Sequence, residues 1–331
     1  MDAQKSRTGL YIRLVISLLL LVFVFSFADI TQIGDVITRI DYWFFALVAA
    51  ITLVDSMMMA YKWQRLVLIK NIGLSFNLAL VTYLVSGFVG LVLPTGIGAD
   101  IYRVHYTSKL LGGLKHIASS VVIERLLGML ASTIFAVIGV LVMSIAAPES
   151  KIDENILLQI FIVLAVVNVL FFMLMTENFF TLVKRLLDKL GNKIIGDKIL
   201  SFHQAYMEYG NHKQALSVFF ALSFIEQVFF VAITYFAALA IEVKIEWYYF
   251  IGIVPVCQIL KKIPISVNSI GVQEGLFAFF FSQIGMTVTE ALSLSILIRI
   301  AQWIMFFAGG VLYVLGSKES INVEAVQSKR Q

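Results

Sequence analysis

The chain has 331 residues, of which 60% are hydrophobic and 14% are charged, and its formal net charge is +4. A soluble globular protein is about 45–50% apolar and about 25% charged, so this composition excludes an ordinary soluble enzyme and a disordered chain. One cysteine, Cys257, excludes a disulfide scaffold. The basic residues flank apolar segments and form no single face, which argues against a nucleic-acid partner and favours a membrane protein.

Stretches of about 20 mostly apolar residues predict helices that span or enter the membrane. The first, 10–27, is interpreted as an uncleaved helix and not as a signal peptide, because further apolar segments follow it. The others are 42–61, 71–99, 117–147, 156–175, 215–241, 247–284 and 291–315. Residues 179–200 place apolar side chains at helical spacing among basic residues, which predicts an amphipathic helix on the membrane surface, with a plain loop as the alternative.

The charges between these segments predict the orientation of the chain, because lysine and arginine concentrate on the cytoplasmic side. We expect the protein to lie in the inner (cell) membrane, with both termini in the cytoplasm. The basic stretches expected in the cytoplasm are 62–70, which includes Lys62, then 103–116 and 177–214. The acidic stretches expected outside are 28–41, 148–155 and 242–246.

Two apolar segments contain breaks that are typical of re-entrant hairpins. Two consecutive cytoplasmic stretches flank 71–99, so this segment is predicted to enter and leave the membrane on one side. Proline removes a backbone donor and glycine permits a sharp turn, while unpaired backbone is tolerated at membrane depth only inside protein or beside a wet cavity. An ordinary kinked helix is the alternative. The predicted break residues are Pro94, Gly96 and Gly98, then Pro264, Asn268 and Gly271.

The two parts of the chain repeat one arrangement in opposite orientations. Residues 1–150 and 151–316 are each predicted to contain two spans, a hairpin and a further span, and 317–331 is predicted to be a cytoplasmic tail. The whole chain, 1–331, is therefore expected to be a single integral membrane domain. The expected fold is an all-α polytopic membrane protein with about six transmembrane helices and two re-entrant helical hairpins, in the inverted repeat that many transporters use.

A spacing of charged residues supports this repeat. Asp100 precedes Arg125 by 25 positions, and Glu274 precedes Arg299 by the same 25 positions. Each acid follows a proline and an Ile-Gly pair. Each arginine is therefore expected to lie in the protein interior near an acid of its own half.

Ionisable residues in apolar segments are candidate site residues, because each costs about 2.5–3.5 kcal/mol at the bilayer centre on insertion scales. Arginine suits bidentate phosphate contacts, whereas lysine acts as a point charge. The candidates for binding a lipid head group are Arg103, Arg125, Lys261, Lys262 and Arg299. The candidates for pairing with these bases, or for carrying coupling protons, are Asp100, Glu124, Glu226 and Glu274. Asp55 is expected near a wet helix end, and purely structural pairing is the alternative for the whole set.

Motifs for enzymatic chemistry are absent from the sequence, which has no HExxH, CxxC, GxSxG or Walker motif. The four histidines lie in hydrophilic stretches without metal-ligand spacing. We therefore expect no enzymatic activity, no metal and no cofactor.

Three motifs occur in order along the chain. They are Pro94 to Arg103 (PTGIGADIYR), the pair Glu124-Arg125, and 263–275 (IPISVNSIGVQEG). They resemble signatures of the lysylphosphatidylglycerol synthase transmembrane region, also called the flippase-like domain family, and the resemblance covers about residues 10–315. Two positions depart from the family pattern, where Gly96-Ile97-Gly98-Ala99 and Asn268-Ser269 stand in place of more usual glycines.

The resemblance implies a protein that moves or binds an anionic lipid, a phospholipid or a polyprenyl-phosphate carrier, between leaflets. Bifunctional family members carry a soluble aminoacyl-transfer domain, which has no counterpart here, so the lipid-translocating part alone is expected. The alternatives are an accessory subunit or transferase component acting on lipid-linked sugars, and a scaffold without a cavity. Besides membrane lipid, the expected partners are a glycosyltransferase or other lipid-modifying enzyme and a second copy of the chain.

Overall fold

The computed structural model describes residues 30–92, 98–147, 207–263 and 266–327, together with single positions between 15 and 26 and between 162 and 185. Within this part of the chain all regular secondary structure is helical, and four helices are long and apolar enough to cross a membrane. The protein is therefore an all-α multi-pass membrane protein. The predicted spans at 10–27 and 156–175 and the amphipathic helix at 179–200 lie largely outside the described residues.

The described helices follow one another closely along the chain. They are α1 (Ile30–Thr38), α2 (Tyr42–Leu68), α3 (Phe76–Val92), α4 (Gly98–Leu111), α5 (Leu114–Ala146), α6 (Lys213–Ala240), α7 (Trp247–Leu260), α8 (Val272–Ser282) and α9 (Val288–Gln327). Short 3₁₀ turns occur at Glu208–Asn211 and Val267–Ser269. The candidate membrane spans are α2, α5, α6 and the part of α9 up to Val314.

Three boundaries differ from the sequence prediction. Helix α1 lies within 28–41, which was predicted to be a loop, and α9 continues through much of the predicted tail 317–331. Helix α2 ends at Leu68, so the assignment of Lys62 to a cytoplasmic loop is wrong. A lysine marks the end of a span when its charge has to be solvated by water. Lys62 instead forms an ion pair with an acidic residue inside the protein.

Helices α2 and α6 lie antiparallel along their whole length. At one end the backbone N–H of Asp41 donates to the carbonyl of Ala240 at 2.9 Å. At the other end the Tyr209 hydroxyl donates to the carbonyl of Leu66 at 3.2 Å. This pair of spans brings the N-terminal and C-terminal parts of the molecule together.

Each short apolar helix packs against a long helix from the other part of the chain, α3 against α9 and α7 against α5. A Cβ added at Gly309 of α9 would collide with the carbonyl oxygen of Leu84 in α3. A Cβ at Gly139 of α5 would collide with the carbonyl oxygen of Ile251 in α7, which is four residues before the helical proline Pro255. Small residues thus allow backbone-to-backbone packing, as is common between membrane helices.

The described helices end and begin on either side of each predicted break. Helix α3 ends at Val92 and α4 begins at Gly98. Helix α7 ends at Leu260 and α8 begins at Val272. Pro94, Gly96 and Pro264 lie outside the described residues.

The second break uses left-handed backbone. Asn268 has φ 48° and Gly271 has φ 82°, a region that glycine adopts freely and asparagine tolerates better than most residues. The Asn268 side-chain amide donates to the carbonyl of Gly90 near the end of α3 at 2.9 Å. The second break therefore contacts the C-terminal part of α3.

Candidate functional site

A cavity of about 500 Å³ opens between α2, α3, α4, α5 and α6. Its volume falls in the range of ligand-binding pockets, about 300–1,000 Å³. Its walls are mainly apolar but carry a dense set of charges. The charged lining residues are Lys62, Asp100, Arg103, Glu124, Arg125, Glu226 and Lys262.

Arg103 forms the buried floor of this charge cluster. Its Nη2 lies 3.1 Å from Asp100 Oδ1 and 2.9 Å from Glu124 Oε2. Its Cζ lies 4.6 Å from the ring centroid of Trp63, which adds a cation–π contact. Asp100 lies in the first turn of α4, where an acid is favoured by the helix dipole. With these partners, Arg103 is held in place by the protein alone.

Arg125 is the accessible cation of the cluster. It pairs with Asp100, the same carboxylate that Arg103 contacts. Its side chain is nevertheless 48% exposed, against 4% for Arg103. Arg125 can therefore offer guanidinium N–H groups to a ligand without leaving its acid.

Lys261 and Lys262 are neighbours that turn in opposite directions. Lys262 lines the cavity and donates from Nζ to the Ser132 hydroxyl at 3.2 Å. Lys261 donates from Nζ to Gln273 Oε1 at 3.3 Å, on the other side of the break. Among the described residues neither lysine has a carboxylate within ion-pair distance. Lys262 is thus a cation in the cavity without an acidic partner.

Lys62 and Glu226 form a second buried ion pair in the cavity wall, between α2 and α6. The Lys62 side chain is 1% exposed, its Nζ also donates to Ser223 Oγ at 3.1 Å, and the Phe219 ring lies 4.8 Å away. Glu226 was a candidate from the sequence, but Lys62 was missed. The available signal was its spacing of seven from Asp55, which puts both on one helical face.

Asp55 lies in the middle of α2, so its expected place near a wet helix end is wrong. Its Oδ1 atom is buried and has no hydrogen-bond partner among the described residues. The apolar residues on both sides of Asp55 continue the helix through it. The carboxylate therefore faces the protein interior.

Arg299 and Glu274 form the corresponding pair of the second half, outside the cavity lined by Arg103, Arg125 and Lys262. Arg299 Nη2 lies 2.7 Å and Nε 3.1 Å from Glu274 Oε1. Glu274 Oε2 accepts from the backbone N–H of Gly271 at 2.7 Å. Arg299 lines a second cavity, of about 440 Å³, with Asn268. The structure thus gathers Arg103, Arg125 and Lys262 in one cavity and places Arg299 in the next.

The two cavities are adjacent, because Gly87, Ala99 and Phe306 line both. No group of three or more metal-ligating side chains occurs within the described residues. The two cavities together present fixed and accessible charged side chains.

Comparison with known proteins identifies the family. No curated protein matches the chain. The family described as "Lysylphosphatidylglycerol synthase TM region" matches residues 10–310, which include both breaks and both pairs with the 25-residue spacing. This match confirms the resemblance that the three motifs indicated, and the chain belongs to the lysylphosphatidylglycerol synthase TM region family.

Proposed function

We propose that the protein moves an anionic lipid between the leaflets of the membrane and that its cavity binds the lipid head group. The observation that carries the proposal is the pair of available cations, Lys262 without an acid and Arg125 half exposed. Across the cavity wall, four cations face three carboxylates. One formal positive charge is therefore left for an anionic ligand, and arginine and lysine are both suited to phosphate.

Several contacts support two re-entrant hairpins. The start of the α3–α4 unit lies beside its end, since a Cβ at Gly113 would lie 2.7 Å from the Ile72 side chain. The α7–α8 unit folds back in the same way, with the Phe250 and Phe281 rings 5.3 Å apart. Hairpins that expose backbone at depth require a protein-lined or wet cavity, and both cavities lie at the breaks.

The exchange of packing partners supports the inverted repeat. Helix α3 packs on α9 and α7 packs on α5. This reciprocal packing is expected if the two halves are equivalent and each contributes a short helix to the other. The Asp100–Arg125 and Glu274–Arg299 pairs have equal sequence separation. In such transporters the substrate binds between the repeats near the midplane.

The path of the head group follows from the shared cavity wall. A head group bound at Arg125 and Lys262 would pass Gly87, Ala99 and Phe306 to reach the second cavity. Of these three residues Phe306 has the only large side chain, so we expect its ring to move during passage. The acyl or prenyl chains would remain in the lipid, as the cavities open at the protein surface.

Transport is tested with the full-length protein in lipid vesicles that contain a fluorescent phosphatidylglycerol in both leaflets and a membrane-impermeant quencher added outside. The wild type should raise the quenched fraction beyond the outer leaflet. Lys262→Gln should slow transport about ten- to hundredfold, since a hydrogen bond to a charged group is worth about 1.5–3 kcal/mol. Lys213→Gln, an exposed lysine at the start of α6, is the matched control.

Two results would overturn the proposal. One is wild-type protein that leaves the inner leaflet unquenched. The other is a folded Lys262→Gln variant that transports as fast as the control. The orientation with cytoplasmic termini, the inner membrane and a glycosyltransferase or lipid-modifying partner stay predictions, and labelling of single cysteines at 149–154 tests the orientation.

A further inference from the structure

A buried lysine that pairs with one carboxylate, Glu226, lies on the same helical face as a second carboxylate, Asp55. Asp55 and Lys62 lie seven residues apart on α2 and therefore on one face, and Glu226 faces them from α6. Lys62 donates to Glu226 and to Ser223, while Asp55 Oδ1 is buried without a donor. These three residues thus contain two carboxylates and one lysine, and the lysine is already paired with Glu226.

The surroundings of this cluster contain few other charges. Four ionisable groups interact electrostatically with Glu226 or Asp55, namely Lys62 on α2, Tyr83 on α3, and Lys261 and Lys262 after α7. Glu124 and Arg125 of α5 line the same cavity as Glu226. Lys261 is engaged by Gln273 and Lys262 by Ser132. A buried carboxylate without a partner is far more costly charged than protonated. Loss of the contact with Lys62 would therefore leave Glu226 as a costly unpaired charge.

Lys62 is the cation in the cavity wall that can change partners. Lys62 and Glu226 both line the cavity, whereas Asp55 is not among its lining residues. Arg103 is held by two carboxylates and Trp63. Lys62 has one carboxylate partner, beside the Ser223 hydroxyl and the Phe219 ring, and a flexible stem. An anion in the cavity therefore competes with Glu226 for Lys62.

We propose that Asp55, Lys62 and Glu226 couple head-group binding to uptake of one proton, which rests on the proposed function. The phosphate replaces Glu226 as the partner of Lys62. A buffer acid in bulk solution gives up a proton, which passes through cavity water and forms an O–H bond on the Glu226 carboxylate, and the conjugate base of the buffer remains in solution. On release of the head group the proton returns to water and Lys62 returns to Glu226. A monoanionic head group thus crosses with one proton and no net charge.

The proton count is measured by calorimetric titration of the purified full-length protein in detergent with dihexanoyl phosphatidylglycerol. The titration is repeated in buffers with different ionisation enthalpies, so that the dependence of the heat on buffer gives the protons taken up. The wild type should take up about one proton, and its affinity should then fall by up to about tenfold per pH unit as pH rises. The measurement on the wild type needs no variant to fold.

The double variant Lys62→Gln with Glu226→Gln removes both members of the ion pair, so that neither Lys62 nor Glu226 is left as an unpaired charge. It should bind the lipid more weakly, through Arg125 and Lys262, with proton uptake near zero. Asp35→Asn, an exposed acid on α1, is the matched control and should keep the wild-type count. In vesicles, a pH gradient should accumulate the lipid in the leaflet on the alkaline side for the wild type and the Asp35→Asn control, but not for the double variant.

The outcomes separate the coupling from the transport itself. Binding by the wild type without proton uptake, or wild-type uptake in the double variant, would overturn the coupling and leave the proposed function standing. Failure of the wild type to bind or move the lipid would overturn both.

Discussion

The ion pairs of the two halves have the same spacing but opposite accessibility. Asp100–Arg125 and Glu274–Arg299 are each separated by 25 residues. The Arg125 side chain is 48% exposed to the first cavity, while Arg299 is 13% exposed and also donates to the carbonyl of Asn268. The first pair is therefore available to a ligand, and the second mainly fastens α8 to α9.

Two neighbouring positions explain this difference. Three residues after the acid, the first half has Arg103 and the second has the buried Phe277. One residue before the arginine, the first half has Glu124 and the second has the buried Ile298. An additional buried ion pair thus displaces Arg125 outward in the first half, whereas apolar packing closes the second half.

The largest expected effect comes from the closed pair. Arg299→Gln or Glu274→Gln leaves a buried charge without its partner, which costs about 3–5 kcal/mol of unfolding free energy. The double variant should lose less than the sum, because neither charge is then stranded. Denaturant titration in detergent measures all three variants. Strictly additive losses would contradict the pairing.

The next effect tests whether the two neighbouring positions create the difference. Arg103→Phe with Glu124→Ile copies the second half into the first. Replacing a buried ion pair by apolar residues is often neutral or stabilising by about 1–4 kcal/mol, so we expect a stable protein whose cavity has lost its buried pair. Unfolding and lipid transport are measured on the same sample. Retained transport would show that the pair does not shape the site.

A smaller effect is expected where the two halves touch. Asn268→Gly removes the hydrogen bond to Gly90, worth about 0.5–1.5 kcal/mol, but keeps the left-handed turn. Asn268→Ala removes the bond and also strains the backbone, by roughly 1 kcal/mol more. The difference between the two variants in unfolding free energy isolates the turn. Equal losses would mean that Ala adopts this backbone freely here.

The open pair should contribute little to stability. Arg125→Gln breaks an ion pair that is half exposed, so the unfolding free energy should change by only about 0–1 kcal/mol. Transport should nevertheless fall about tenfold or more, because a charged hydrogen bond to the head group is lost. Arg39→Gln, an exposed arginine after α1, is the control. If Arg125→Gln lost as much unfolding free energy as Arg299→Gln, the claim that the two ion pairs differ in their contribution to stability would be wrong.

The smallest effect concerns an ion pair outside the spans. A hydrogen bond from Lys70, together with the lysine's charge, lowers the pKa of Glu208 below its ordinary 4.5. The stabilisation is present above pH 4.5 and should be lost as pH falls through the lowered pKa of the folded state. Comparing the pH dependence of unfolding in wild type and Glu208→Gln measures it. If the unfolding free energy of the variant depends on acidic pH in the same way as that of the wild type, the pair does not contribute to stability.

Sequence reasoning predicted the features that depend on local pattern. Apolar runs placed α2, α5 and α6 near their observed starts, and Pro and Gly marked both interruptions. It failed at Lys62, because a rule that ends spans at basic residues cannot see an acid 164 positions away. It also missed α1, since a short helix between acidic residues has no apolar run to announce it.

The glycine contacts between α3 and α9 constrain how the protein is made. The backbone of α3 is covered by Gly309 of α9, which leaves the ribosome more than two hundred residues later. Until Gly309 is synthesised, α3 lacks the surface of α9 that packs against it. Neither half can complete its own packing, so separately synthesised halves should mature only when both are present in one bilayer.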